Sequence, residues 1–379
     1  MRRILYLALA DARGHLMRAV ILREQLAKHG VRVDVVTTSA EGKRFLAAFG
    51  CPAEVLSDHF RIVYDDAQNM RRARTEARVL AYLASPRRGR KDLRRLLAMA
   101  EGADLVVNDS MHPALFFFAK AARELRIVHV YGENIGAATD HHFDGALPAP
   151  LAKRFAAIVR RLRERSFARI VHAQDGPFGW DPRTGVHRVP AIAARPSRSR
   201  EEVRADLGVA PDAPLAAVYL NPHFRDAAIA SALERALAGF HVHAVCEGYA
   251  DRAGWRARDP RLCDAIAAAD LFVSAPGMGA ITQARAFDVP FLAITTEQPE
   301  QLRNLADFAG MRAARFVGVR AASPDLAGDL ARAVSRLSSA SPRPDPRIAI
   351  DRVHSAWTLL FLQLLDEARR EPPPLERSA

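Results

Sequence analysis

Cysteine is scarce in this 379-residue chain: Cys51, Cys246 and Cys263 stand far apart and odd in number. They form no Cys-x-x-Cys pair and no zinc spacing, which excludes a disulfide framework and fits a reducing cytosol. No apolar run reaches the roughly 20 residues of a membrane-spanning helix. Aromatic residues make up 7% and hardly interleave with the basic stretches, which argues against nucleic acid as a partner. No internal repeat is present. What remains is an ordinary globular composition, 49% hydrophobic and 26% charged, with a net charge of +12 and a pI near 10.3. That balance favours an anionic partner such as a phosphorylated ligand or an acidic membrane surface. An Arg-rich chain from a GC-rich genome is basic without one. The length suits two domains.

Met1-Arg2-Arg3 followed by Ile4–Ala10 imitates a short signal peptide. Its apolar core is at the lower limit, and cleavage would remove what reads as the first buried strand of a βαβ unit. The strand is the reading adopted.

Strand and helix patterns alternate along the chain. Ile4–Leu9 reads as a strand, Gly14–His29 as a helix closed by Gly30, Val31–Thr37 as a strand and Gly42–Phe49 as a helix. Leu105–Asn108, a helix over Pro113–Leu125 and Ile127–Tyr131 continue the rhythm. Ala194–Arg200, rich in Arg, Ser and Pro, interrupts it as a linker would. It restarts with strand Leu215–Leu220, helix Ala227–Ala238, strand Val242–Val245, helix Pro260–Ala269 and strand Leu271–Val273. The pattern predicts parallel sheets wrapped by helices, with ligand loops at the carboxyl ends of the strands. A last helix spans Ala349–Arg369, with Ile350, Val353, Trp357, Leu360, Phe361, Leu364 and Leu365 at the spacing of one buried face.

One stretch is especially informative. After the strand, Ser274-Ala275-Pro276-Gly277-Met278-Gly279 turns into a helix-like run from Ala280 to Phe287, and a second strand, Phe291–Ile294, follows Pro290. A Gly-rich turn that opens a helix presents backbone N–H groups and a positive dipole end, a ready site for a diphosphate. The segment resembles the donor-sugar signature of GT-B glycosyltransferases of the UDP-glycosyltransferase type. Gly277, Gly279, Ala284, Val289 and Pro290 match it, whereas Ala275 replaces a His, Pro276 a Gly, Gln283 a Glu and Asp288 a Gly. Gly14-His15-Leu16-Met17-Arg18 resembles the Gly-His-x-x-Arg that opens the first helix in these enzymes. Asn108-Asp109 matches a Ser-Asp after a strand, and Glu300-Gln301-Leu302-Arg303-Asn304 a Glu-Gln-x-x-Asn donor motif. Residues 187–208 are similar to the interdomain segment of relatives of the peptidoglycan N-acetylglucosaminyltransferase.

The resemblance implies two Rossmann-like parallel-sheet domains facing across a cleft. An acceptor domain would cover 1–190, a donor domain 201–345, and a final helix over 346–370 would return to the first domain. It also implies transfer of a sugar from a UDP- or TDP-sugar to a hydroxyl, inverting and without a metal or other cofactor. The amides of Gly277, Met278, Gly279 and Ala280 would then face the diphosphate. Asn221, His223 and Arg225 border the same site, His223 or Arg225 replacing the missing His at 275. Gln283, Glu300 and Gln301 would bind ribose or sugar hydroxyls, and Asn304 would brace the segment. His15 is the candidate general base, oriented by Asp109, with Asp11 as a rival. The rival functions are a nucleotide-sugar hydrolase of the same fold and a non-catalytic subunit, the latter suggested by Ala275 and Gln283.

Two basic stretches lie in the first half. Residues 71–95 carry Arg71, Arg72, Arg74, Arg78, Arg87, Arg88, Arg90, Lys91, Arg94 and Arg95, and residues 151–170 carry Lys153, Arg154, Arg160, Arg161, Arg163, Arg165 and Arg169. A basic amphipathic helix of this kind can lie on an anionic bilayer. A lipid-linked or apolar acceptor and a cytoplasmic protein peripheral to the inner membrane would suit it; a solvated helix face is the alternative. His141-His142 with Asp140 and Asp144 could suggest a metal site, which the transfer chemistry does not need.

Overall fold

A computed structural model describes residues 1–57, 63–66, 71–110, 112, 125–133, 149, 150, 153, 156, 157, 160, 166–210, 212–309, 315–337 and 343–370. The expected helix after Pro113, the His141-His142 cluster and most of the basic stretch 151–170 lie outside them. The chain divides into two compact units: Met1–Ile62, Arg72–Ile192 and Arg352–Ala379 form the first, Val63–Arg71 and Ala193–Asp351 the second.

The first unit runs β1 (Arg2–Ala8), α1 (Arg13–Ala27), β2 (Val31–Thr37), α2 (Ala40–Ala48), β3 (Ala53–Val55), α3 (Arg72–Leu83), α4 (Pro86–Ala100), β4 (Leu105–Asp109), β5 (Ile127–Gly132), β6 (Ala168–Ala173), β7 (Gly179–Asp181) and β8 (Val186–Pro190). Its strands order β3-β2-β1-β4-β5-β6-β8-β7. All pairs are parallel except the β7–β8 hairpin at the edge. β1 is central and buried on both faces, hence its unbroken apolar run. Ile4, Tyr6 and Ala8 face one core with Leu16, Val20 and Leu22 of α1. Leu5 and Leu7 face the other, with Leu96 and Ala100 of α4.

The second unit adds α5 (Arg200–Asp206), β9 (Leu215–Tyr219), α6 (Ala227–Ala236), β10 (His241–Val245), β11 (Trp255–Arg256), α7 (Leu262–Ala268), β12 (Leu271–Ser274), α8 (Met278–Ala286), β13 (Phe291–Thr295), α9 (Pro299–Ala309), β14 (Phe316–Arg320) and α10 (Leu326–Leu337). Its all-parallel sheet has the order β11-β10-β9-β12-β13-β14, the doubly wound arrangement. Ile229, Leu233, Leu330 and Val334 cover one face. Val203, Ile266, Ile281 and Ala284 cover the other. The stretch expected as a linker is pinned: Ser197 donates from N (2.6 Å) and Oγ (2.7 Å) to Asp264. Ser199 and Glu202 then form a reciprocal capping box that starts α5.

The last helix, α11 (Arg347–Arg370), sets Trp357, Phe361, Leu364 and Leu365 in the core of the first unit. Trp357 Nε1 donates to Pro190 O at 2.8 Å. Among the described residues no helix is long and apolar enough to cross a membrane.

Candidate functional site

Two groups of residues collect at strand ends, one in each unit. In the first, β1 and β4 are neighbours with Ala8 beside Asp109. The strand order reverses at this pair, and a doubly wound sheet opens its ligand crevice there. α1 starts at Arg13, which places His15 in its first turn and Arg18 three residues on, along the same face. His15 Nδ1 meets Asp109 Oδ1 at 2.6 Å. Arg18 donates to both oxygens of the same carboxylate, from Nε at 2.8 Å and from its terminal nitrogen at 3.3 Å. Tyr6 OH donates to Oδ2 at 2.7 Å.

The side chain of Asp109 is fully buried, that of Arg18 6% exposed and that of His15 19% exposed. Burial alone would raise the Asp109 carboxyl, but the Arg18 and His15 charges and hydrogen bonds outweigh it and hold it well below the usual carboxylate range. Burial opposes the Arg18 charge too, and Asp109 more than compensates. Burial, with Asp109 second, pushes the Tyr6 phenol up. His172 on β6 is driven down by burial, then by Arg18, and is neutral at pH 7. The result is a fixed carboxylate that engages one imidazole nitrogen of a partly exposed His. Such a dyad can accept a proton at the other nitrogen. Sequence reasoning named His15 and Asp109 and quoted Arg18 within the motif without a role. Tyr6 it missed; the only signal was a phenol in an otherwise aliphatic buried strand.

In the second unit the corresponding reversal lies between β9 and β12, with Tyr219 beside Ser274. The turn after β12 ends in Gly277, the N-cap of α8, at φ −74° and ψ 153° with no side-chain cap. Ile281 donates the first intrahelical bond, to Gly277 O at 3.1 Å. The amides of Gly279 and Ala280 precede it and make none within the helix. Gly279 is exposed, and a Cβ added at Gly277 would meet nothing within 4 Å. The backbone here does not need glycine, so the open space is what glycine preserves. Asn304 Nδ2 ties α9 to Pro276 O at 3.1 Å.

Two expected donor contacts, Gln301 and His223, look different in place. Gln301 is 4% exposed, and its Oε1 accepts from Thr296 N (2.8 Å) and Thr296 Oγ1 (3.0 Å). Its carbonyl oxygen is thus committed to the loop after β13 and unavailable to a sugar hydroxyl. His223 stacks on Tyr64 with ring centroids 3.9 Å apart. Burial lowers its pKa to about 4, so with no ligand beside it the ring is neutral at pH 7 and carries no positive charge. Glu300 lies in the first turn of α9, and its side chain is outside the described residues. Asn221 and Gln283 are half-buried and Arg225 is exposed. The 221–225 loop is held close to its neighbour: Gly248 leaves no room for a Cβ, which would sit 1.9 Å from Phe224 O.

No family model matches the sequence, and no curated protein matches it. Solved structures do. The chain resembles the spinosyn forosaminyltransferase SpnP with a TM-score of 0.56 and 16% identity, over 98% of this chain and 96% of that one. It resembles Arabidopsis thaliana UGT89C1, solved with UDP, with a TM-score of 0.57 and 16% identity, over 97% and 98%. For the glycosyltransferase VinC, solved with dTDP, the values are 0.56 and 17%, over 97% and 100%. The fold is GT-B. At these identities the likeness is one of fold. Among the described residues no three His, Cys, Asp or Glu side chains gather as a metal site would.

Proposed function

We propose that this GT-B protein is a glycosyltransferase that moves a sugar from a UDP- or TDP-sugar to an acceptor hydroxyl. The observation that carries the reading is the His15–Asp109 bond at 2.6 Å at the carboxyl end of the central strands. The UDP and dTDP in the structures of UGT89C1 and VinC support the donor class. In this reading His15 Nε2 takes the proton of the acceptor hydroxyl as its oxygen attacks the anomeric carbon. The bond from that carbon to the phosphate oxygen breaks on the opposite side, which inverts the centre. The leaving diphosphate receives the charge-stabilising N–H groups at the start of α8, with no metal required. Arg225, Gln283 and Glu300 complete the donor site, while Gln301 and Asn304 brace its loops.

The acceptor is lipid-linked or apolar in this reading, and the protein works at the cytoplasmic face of a membrane. Support comes from α4. Arg87, Arg88, Arg90, Lys91, Arg94 and Arg95 are exposed on one side, and Gly89, Leu93, Leu96 and Ala100 are buried on the other. Six cations along a helix roughly 22 Å long form a one-signed strip that suits an anionic bilayer.

A thermal-shift panel of nucleoside diphosphates tests the donor, since a ligand stabilises the fold in proportion to the logarithm of its concentration over Kd. UDP or TDP should raise Tm; no shift from UDP, TDP or GDP would favour a non-catalytic subunit. With the sugar donor identified, His15→Ala should abolish turnover and leave the donor-induced shift intact. Sugar release without acceptor would favour the hydrolase.

A further inference from the structure

We propose that Arg18 and Tyr6 are positioning residues that lock the Asp109 carboxylate so that it holds His15 in one orientation. The inference rests on the reading of His15 as the base, but its decisive readout does not need the reaction.

A carboxylate offers about four lone-pair directions. Asp109 fills them: His15 Nδ1 and the Arg18 terminal nitrogen on Oδ1, Arg18 Nε and Tyr6 OH on Oδ2. A carboxylate bonded only to His15 could turn about its Cβ–Cγ bond and present either oxygen. The Arg18 fork removes that freedom, because a planar guanidinium engages both oxygens at once. His15 and Arg18 sit one turn apart on α1, so the same turn of helix grips the carboxylate twice. This also sets the rotation of α1 against β4.

Arg18 is itself constrained. Its guanidinium lies 6.0 Å from the Trp357 ring centroid, and Trp357 is anchored by its bond to Pro190 O. A continuous path of contacts therefore leads from α11 through Trp357, Arg18 and Asp109 to His15. The motif residue Arg18 is buried, 6% exposed, and directs both Nε and its terminal nitrogen at Asp109. Its effect on chemistry runs through Asp109.

The test uses the full chain with Arg18→Lys and Tyr6→Phe. Arg18→Lys keeps a positive charge and loses the fork. Tyr6→Phe keeps the ring and loses one donor, and it remains informative if Arg18→Lys does not fold. The His15 Nδ1–H that bonds a fixed carboxylate gives a downfield proton NMR resonance, assigned by its loss in His15→Ala. That resonance should be present in the wild type, lost in Arg18→Lys and broadened in Tyr6→Phe. Turnover should fall about 10- to 100-fold in Arg18→Lys with the donor KM unchanged, as for a misplaced catalytic group. An unaltered resonance in both folded variants overturns the proposal. If Arg18→Lys loses the resonance while His15→Ala keeps full turnover, Arg18 positions His15 as proposed, and it is the reading of His15 as the base that falls.

Discussion

The start of α8 permits a sharp separation of folding from binding. Gly277 has φ −74° and ψ 153°, a conformation alanine adopts freely. An added Cβ would meet no atom within 4 Å. Gly277→Ala loses backbone freedom in the unfolded chain, worth roughly 0.4–1 kcal/mol of stability. It also replaces a better N-cap by a worse one, at a cost of similar size. The two nearly cancel, so the midpoint of unliganded thermal unfolding should stay within a degree or two. Binding should behave differently. A methyl group at the cap holds a diphosphate off the adjoining amides and weakens a charge-assisted bond worth about 2 kcal/mol, which is roughly a 30-fold loss of affinity. At a ligand concentration of about 100 times the wild-type Kd, a bound nucleoside diphosphate stabilises by about 2.7 kcal/mol. The same concentration is only about three times the weakened Kd and leaves about 0.9 kcal/mol. Differential scanning fluorimetry with and without UDP or TDP reads both quantities. An unchanged ligand-induced shift in Gly277→Ala would refute the diphosphate assignment. A large drop in the unliganded midpoint would show the glycine to be structural.

Gly248→Ala should do the opposite, lowering the unliganded Tm by an amount equivalent to about 1–3 kcal/mol, because its Cβ meets the backbone oxygen of Phe224 at 1.9 Å. Asp109→Asn leaves the buried Arg18 charge without its partner and should cost about 3–5 kcal/mol in urea unfolding. Adding Arg18→Met should recover much of that loss; additive costs would argue against a coupled pair. The Asp109 carboxyl is depressed in the folded state, so its contribution is complete above about pH 4 and is lost as pH falls toward the folded value. Urea midpoints measured from pH 5 downward should therefore fall more steeply in the wild type than in Asp109→Asn. Asp288 holds φ 48° after α8, where Asp288 N bonds Arg285 O and Val289 N bonds Ala284 O, a helix end that favours glycine. Asp288→Gly relieves a left-handed backbone that costs a non-glycine residue about 1–2 kcal/mol, against about 0.4–1 kcal/mol of added freedom in the unfolded chain, and should raise stability by up to about 1 kcal/mol in the same unfolding assay.

The elements legible in the sequence are those whose burial is uniform along their length. β1 and β12 are buried on both faces and read as plain apolar runs. In α11 the buried positions Ile350, Trp357, Phe361, Leu364 and Leu365 repeat at helical spacing. The less legible elements break these rules locally. β6 carries Arg169 and His172 within its run; Arg169 reaches out to Thr184 O at 2.5 Å, and His172 is buried neutral. β3 and β11, of three and two residues, are too short for any period to show. β7 exposes Trp180, which reverses the usual meaning of an aromatic residue in a strand.

At the candidate site, local motifs identified residue types near strand ends, whereas their roles depend on neighbours distant in sequence. His223 and His15 are both loop-proximal histidines. One is neutralised by desolvation beneath Tyr64, 159 positions earlier in the chain; the other is bonded to a carboxylate 94 positions away. Nothing in the residues beside either histidine separates these outcomes. The same holds for Gln301, whose motif suggests a ligand contact and whose position beside Thr296 makes it a loop brace. Arg18 is the instructive case. An arginine three residues after a histidine on a helix reads as a solvated cation, since isolated burial of its charge is prohibitive. It becomes buried because Asp109 waits at the end of β4, and Asp109 can be fully buried as an anion only because Arg18 and His15 both reach it. Each charge makes the burial of the other possible, so the two roles can be inferred only together, after strand order has placed β4 beside β1.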